Sequence, residues 1–325
     1  MHPIFSRRTW LASAVALALP GLPRAQTGGT IKLLVGFPPG GASDPVARVL
    51  AERLQKELGQ TVIVDNRPGI GGRLAAEALK NAAPDGLSYL VAPNASGVFQ
   101  HLMYPVETLR YDLLKDLKPV AVVTTYPMGM AINAAVPAAT LKDYVTWVKA
   151  NPAQGNVGTA GLGGDTHFNT LQLAKLSGVK LEVVPYRGNG PLMTELVGGQ
   201  LPAGMMVAGD FIQQVRAGKA KALGVLGPRR SPLMPDVPTF VEQGFDTGGG
   251  DGWIGLWANA GAPAAANARV EAALKKILEA GDIKELLANR VMHADFRPGT
   301  EMDQMVRREL DHWGPVIKAS GFKPQ

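Results

Sequence analysis

The chain has 325 residues, 46% of them apolar, which is enough for two ordinary domains with real cores and excludes a disordered class. The absence of cysteine excludes disulfides, thiolate nucleophiles and cysteine-held metals, and the five histidines (His2, His101, His167, His293 and His312) show no metal-binding spacing. The formal charge is +6, and no run of basic residues interleaved with aromatics accompanies it, which speaks against a nucleic-acid surface.

Ser6-Arg7-Arg8-Thr9-Trp10-Leu11 places a twin arginine before the apolar stretch 11–19, and Pro23-Arg24-Ala25 follows. This is the pattern of a bacterial twin-arginine export signal, cut after Ala25. The apolar stretch falls short of the roughly twenty residues needed to span a bilayer. With Arg7, Arg8 and Arg24 gone, the 33 basic residues fall by three against 27 acidic ones and the charge is +3. The mature chain is expected to be a soluble monomer in the periplasm.

Residues 31–37 read as a buried strand. The loop V-G-F-P-P-G-G-A-S-D-P at 35–45 follows, with Asp44 as helix N-cap and Pro45 at the first helical position. Bare glycine backbone at a helix start suits a small anion. A strand-to-helix turn whose glycines serve only unusual dihedral angles is the alternative. Helical apolar spacing spans 45–58 up to Gly59, and 61–65 is a β-branched strand. N-R-P-G-I-G-G at 66–72 then opens a second helix over 73–83. Residues 88–92 form a strand ending in the polar loop Pro93-Asn94-Ala95-Ser96, at a strand end of the kind where open α/β sheets bind ligands.

Two strand-like runs, 120–124 and 128–132, lead into a second unit that repeats the pattern. Its glycine loops are N-V-G-T-A-G-L-G-G-D-T-H-F at 156–168 and V-V-P-Y-R-G-N-G-P at 183–191. A strand at 220–226, a return strand at 252–258 and helices at 264–278 and 301–318 close the chain. The expected fold is α/β: two Rossmann-like lobes joined by two crossing strands. One lobe comprises 26–125 and 250–325, and the other 126–249, with glycine-rich loops facing across a cleft that can close by hinge bending.

No nucleophile elbow, phosphate-binding P-loop or dinucleotide fingerprint occurs. Asp165 and His167 suit a helix start better than an acid and base pair. Ser43 and Ser96 are hydroxyls that bind or cap, so no catalytic residue, cofactor or metal ligand is assigned. An exported hydrolase using His167 with Ser43 or Ser96 is the enzymatic alternative.

The motifs at 37–44, 66–72, 83–86, 158–168, 184–191, P-D-V-P-T at 235–239 and W-G-P-V-I-K-A-S-G at 313–321 together resemble the Bug family, the periplasmic solute-binding receptors of tripartite tricarboxylate transporters. The resemblance implies a two-lobed, type II-like periplasmic-binding-protein fold that closes on a small mono- or dicarboxylate and passes it to membrane permease subunits. A sensor that reports the ligand to a kinase is the second possibility. On the family pattern Phe37, Pro38, Pro39, Gly40, Gly41, Ser43 and Asp44 form the first-lobe clamp, with Asn94 and Ser96 beside it. Thr159, Gly161, Gly163, Gly164, Asp165 and His167 face them, with Tyr186 and Gly188 near the far end of the ligand. The chain departs from the family where relatives usually carry serine at Gly164, with Asp165 following. It departs again at 199–206, where Pro202 and Met206 replace two acids and Asp210 lies close by.

Overall fold

The computed structural model describes residues 28–40 and 43–324, so the export signal expected over 1–25 and Gly41 of the first loop lie outside the described residues. Among the described residues there are eleven strands: β1 (Ile31–Val35), β2 (Val62–Asn66), β3 (Ser88–Pro93), β4 (Leu117–Tyr126), β5 (Met128–Asn133), β6 (Asn156–Thr159), β7 (Glu182–Pro185), β8 (Ala203–Val207), β9 (Ala220–Val225), β10 (Gly252–Asn259) and β11 (His293–Pro298). They form two sheets, ordered β11-β4-β10-β3-β1-β2 and β7-β6-β8-β5-β9.

The first sheet grows outward from β1, whose sequence I-K-L-L-V is buried except at Lys32 because helices cover both of its faces. It pairs parallel with β2 and β3, while β10, β4 and β11 add antiparallel strands beyond β3. In the second sheet β6 runs parallel to β7 and β8, and β5 runs antiparallel to β8 and β9. Each lobe is thus a mixed α/β unit.

The lobes are joined by two neighbouring passages. Strand β4 ends at Tyr126 and β5 starts at Met128, leaving only Pro127 between the sheets. The chain returns from β9 through 226–251 to β10, whose first residue Gly252 pairs with Tyr126. A Cβ on Gly252 would lie 2.2 Å from the Tyr126 ring, so the aromatic face rests directly on returning backbone.

Helix formation follows apolar spacing. The helix Ser43–Leu58 buries Val46, Ala47, Leu50, Ala51 and Leu54 on one stripe, and Gly59 ends it with φ of 61°. The helix Ala264–Glu279 packs beside it, and the long C-terminal helix Gly299–Ser320 lays Met302, Val306, Trp313 and Ile317 on the first lobe.

Two local expectations are corrected, and two strands were not anticipated. Asp44 is not the cap, because the helix already begins at Ser43. The polar loop expected at 93–96 is instead the start of a π-helical turn, Ala95–Phe99, running into Gln100–Met103, since Val98 and Phe99 must be buried. Strands β8 and β11 escape a periodicity reading for opposite reasons. The first, A-G-M-M-V, is buried on both faces and shows no alternation. The second, H-A-D-F-R-P, is a half-buried edge with a register shift between Ala294 and Arg297.

The close seating of β5 on β9 makes a direct test. A Cβ at Gly129 would stand 2.3 Å from the Gly224 carbonyl oxygen and 3.1 Å from the Val225 Cα, both backbone atoms that cannot swing aside. Gly129→Val is expected to cost about 1–3 kcal/mol in urea denaturation. An unchanged midpoint would contradict this packing.

Candidate functional site

The loops expected to bind ligand lie at the carboxyl ends of β1, β3 and β6. In the first, Phe37 is half-buried while Pro38, Pro39 and Gly40 are exposed, and Ser43 and Asp44 are buried behind them. The Asp44 carboxylate organises this loop. It accepts hydrogen bonds from the Gly40 N–H at 3.0 Å, Arg48 Nε at 2.9 Å and Asn66 Nδ2 at 2.9 Å. Asn66 Nδ2 also donates to the Phe37 carbonyl at 3.1 Å. Burial alone would raise the Asp44 pKa, but the bonds from Arg48, Gly40 and Asn66 outweigh it and hold the carboxyl below its ordinary value. The Gly40 amide, expected to face a ligand, is therefore committed within the protein.

The second-lobe loop is also internally bonded. The buried Thr159 hydroxyl donates to the Gly161 carbonyl at 2.6 Å. The Gly163 N–H donates to His167 Nδ1 at 2.9 Å, so the neutral ring carries its proton on Nε2. Desolvation lowers the His167 pKa and keeps it in that form. Gly161 and Gly164 are half-buried, and Gly164 precedes the helix Asp165–Ser177. Gly163 has φ of 80°, a left-handed conformation that favours glycine, and a Cβ there would meet Met103 Sδ of the first lobe at 2.3 Å.

This loop and its helix enter the first lobe through aromatic packing. Phe168 is fully buried, with ring centroids 6.0 Å from Phe99, 6.4 Å from Trp313 and 5.6 Å from Phe322. His167 lies 5.0 Å from Phe322, edge to face. One helical turn further on, Asn169 accepts a 2.6 Å hydrogen bond from the Thr247 hydroxyl in the returning passage.

Beside the aromatics lies a polar junction. Asn94, 2% exposed, donates through Nδ2 to Asp165 Oδ1 at 2.9 Å and to Glu309 Oε2 at 3.4 Å. Trp253 Nε1 donates to Glu309 Oε1 at 2.5 Å. Desolvation pushes the Asp165 pKa up to about 6, against the pull of its own N–H and Asn94. Desolvation and the Asp165 charge push Glu309 up to about 7, against Trp253 and Asn94. Burial, and after it the Asp165 and Glu309 charges, raises the pKa of Tyr126 as well.

The structure therefore joins Asn94 to Asp165 and Gly163 to His167, and it sets Ser96 and Phe37 around Gly72, where a Cβ would meet them at 2.9 Å and 3.6 Å. Among the described residues, His167 makes no hydrogen bond with Ser43 or Ser96, and none joins the 37–40 loop to the 159–167 loop. The Tyr186 hydroxyl turns to Glu195 at 2.6 Å within its own lobe, and Gly188 caps the neighbouring helix Asn189–Gly198. Asp210 takes a 2.5 Å hydrogen bond from Asn189. Glu309, Trp253, Tyr126 and Asn66 were not anticipated. The signal for Glu309 was available, since 302, 306, 309, 313 and 317 share one helix face that is otherwise apolar and buried.

Two α/β lobes that meet where their polar strand ends converge have the architecture of periplasmic binding proteins. The model of the family described as tripartite tricarboxylate transporter family receptor matches residues 46–322. The chain belongs to that family. Three solved structures are similar throughout. The periplasmic binding protein BugD is 28% identical with a TM-score of 0.76, the alignment covering 91% of this chain and 99% of that one. MatC from Rhodopseudomonas palustris, with bound malate, is 31% identical with a TM-score of 0.75, covering 89% and 98%. Rpa4515 of R. palustris, with adipate, is 25% identical with a TM-score of 0.80, covering 91% and 98%.

Removing the Phe168 ring should cost about 3–5 kcal/mol of stability, measured as Phe168→Ala in denaturant unfolding. A loss below about 1 kcal/mol would show that the aromatic contact between the lobes is not formed in solution. The raised pKa values set the sign of a pH effect. Stability from the Asp165 and Glu309 pair is complete below their ordinary pKa values near 4 and is lost as pH rises through about 6 and about 7. Acidification from about pH 8 to about pH 5 should therefore raise the melting temperature of the unliganded protein more than that of the Asp165→Asn, Glu309→Gln double variant. Equal rises would contradict the burial of these acids.

Proposed function

We propose that the chain is a periplasmic receptor that captures a small mono- or dicarboxylate between its lobes and delivers it to the membrane permease subunits of a tripartite transporter. The observation that carries this reading is the polar contact of Asn94 with Asp165, where the carboxyl ends of β3 and β6 meet across the two lobes. Ligands of open α/β sheets bind at such strand ends. Membership of the receptor family, and the malate and adipate carried by similar proteins, support a carboxylate as the ligand class.

The site residues take the following parts in this reading. Phe37, Pro38, Pro39 and Gly40 form one wall, with Asp44 as its internal brace. Because Asp44 already takes the Gly40 amide, the carboxylate is met chiefly by the N–H groups and hydroxyl at the start of the helix Ser43–Leu58, where the helix dipole favours an anion. Thr159, Gly161, Gly163 and Gly164 form the opposite wall, held in shape by His167. Tyr186 and Gly188 border the second lobe further out. The twin-arginine leader supplies the route of export, and no helix among the described residues is long and apolar enough to cross a membrane.

A thermal-shift panel of aliphatic and aromatic carboxylates, amino acids and sugars tests the reading. A true ligand at 100 times its Kd should add about 2.7 kcal/mol, which is a rise of several degrees for a chain of this length. Silence from every acid, with a response to a sugar, would overturn it.

A further inference from the structure

We propose that the first lobe carries a second binding site, remote from the junction between the lobes, for a small monoanion whose body is an aromatic ring or a short branched alkyl group. The site is a cavity of about 240 Å³ where the short helix Leu113–Asp116, the first residues of β4, the far half of β10 and the C-terminal helix meet. Its floor is apolar, and none of Leu113, Leu117, Trp257 and Val306 is more than 3% exposed. An apolar cavity of about 150 Å³ already takes benzene. Trp257 lies four residues along β10 from Trp253, which is bonded to Glu309, so about 13 Å of strand separates the cavity from the junction. Leu117 likewise opens β4, whose other end, Tyr126, leads into the passage between the lobes.

Two polar features of the lining ask for the same chemistry. Three charged residues line the cavity, and two of them are already satisfied: Lys115 pairs with Asp112 at 3.2 Å and Asp303 with Arg307 at 2.8 Å. The third, Lys118, is exposed and makes no ion pair or hydrogen bond among the described residues. The second feature is independent of charge. Trp257 is almost wholly buried, yet its indole N–H donates to no partner among the described residues, whereas that of Trp253 is bonded to Glu309. A buried indole N–H ordinarily finds an acceptor. The ring is held in place, since a Cβ on Gly97 would meet its Cζ2 at 3.3 Å and the Trp253 ring is centred 6.4 Å away. An ammonium and an indole N–H are both donors without an acceptor. A carboxylate supplies acceptor oxygens and the opposite charge, while its apolar body covers the floor. A cationic ligand would face an unpaired lysine, and a sugar would bury hydroxyls against an apolar surface.

Benzoate, benzamide and benzylamine share one ring and differ in charge. Each is titrated into the isotope-labelled protein while the Trp257 indole N–H signal, assigned by triple-resonance experiments, is followed by NMR. Benzoate should move this signal saturably with a Kd of about 1 mM or tighter, benzamide should act at least about fivefold more weakly, and benzylamine should leave it in place. Lys118→Glu, a change at an exposed position, should weaken the benzoate response of this signal by at least about fivefold. Lys118→Gln, which only removes the charge, should weaken it in the same direction, and melting curves without ligand confirm that both variants fold. A movement transmitted from benzoate held between the lobes would persist unchanged in both variants, and that result would overturn the site. A signal that stays in place with benzoate, or an equal response to benzylamine, would overturn it as well. The carboxylate-receptor reading stands or falls separately, on what binds between the lobes.

Discussion

The burial of Phe168 is the contact on which the arrangement of the two lobes depends. Its ring leaves the second lobe at the start of a helix and enters an aromatic cluster made by Phe99, Trp313 and Phe322 of the first. A buried phenylalanine contributes several kcal/mol, far more than any exposed ion pair between the lobes could. Once it is seated, His167 is pressed against Phe322 and its Nδ1 fixes the Gly163 amide, so the glycine loop inherits its shape from an apolar contact. The left-handed Gly163, close to Met103, completes the fit.

The same packing creates the electrostatic problem at its rim. Bringing the helix Asp165–Ser177 onto the first lobe carries Asp165 to Asn94 and Glu309 and strips water from two acids at once. Asn94 and Trp253 compensate in part, but they are neutral, and the pair is relieved by taking up protons.

Much of this was legible in the sequence, because glycine-rich strand-to-helix turns and apolar helix stripes are local signals. The loops at 35–45 and 156–168, and their place at strand ends, follow from Gly, Pro and the β-branched runs before them. What could not be read were contacts made by residues far apart in the chain. Asp44 looked like a cap because Pro45 follows it, yet its carboxylate is claimed by Arg48, Asn66 and Gly40, and Asn66 belongs to another strand. Glu309 was overlooked because an acid in a helix usually faces water, although its position among Met302, Val306 and Trp313 marked it as turned inward. Strand β8 hid for lack of alternation, as strands buried on both faces do.

The central claim is that the interlobe junction holds a small organic acid. Native mass spectrometry of the protein purified from its own periplasm tests this most directly, since it reads the mass of any ligand that stays bound through gentle isolation. The account predicts an added mass equal to a small carboxylic acid, released on denaturation. A sugar, a nucleotide or a metal ion in its place would contradict it.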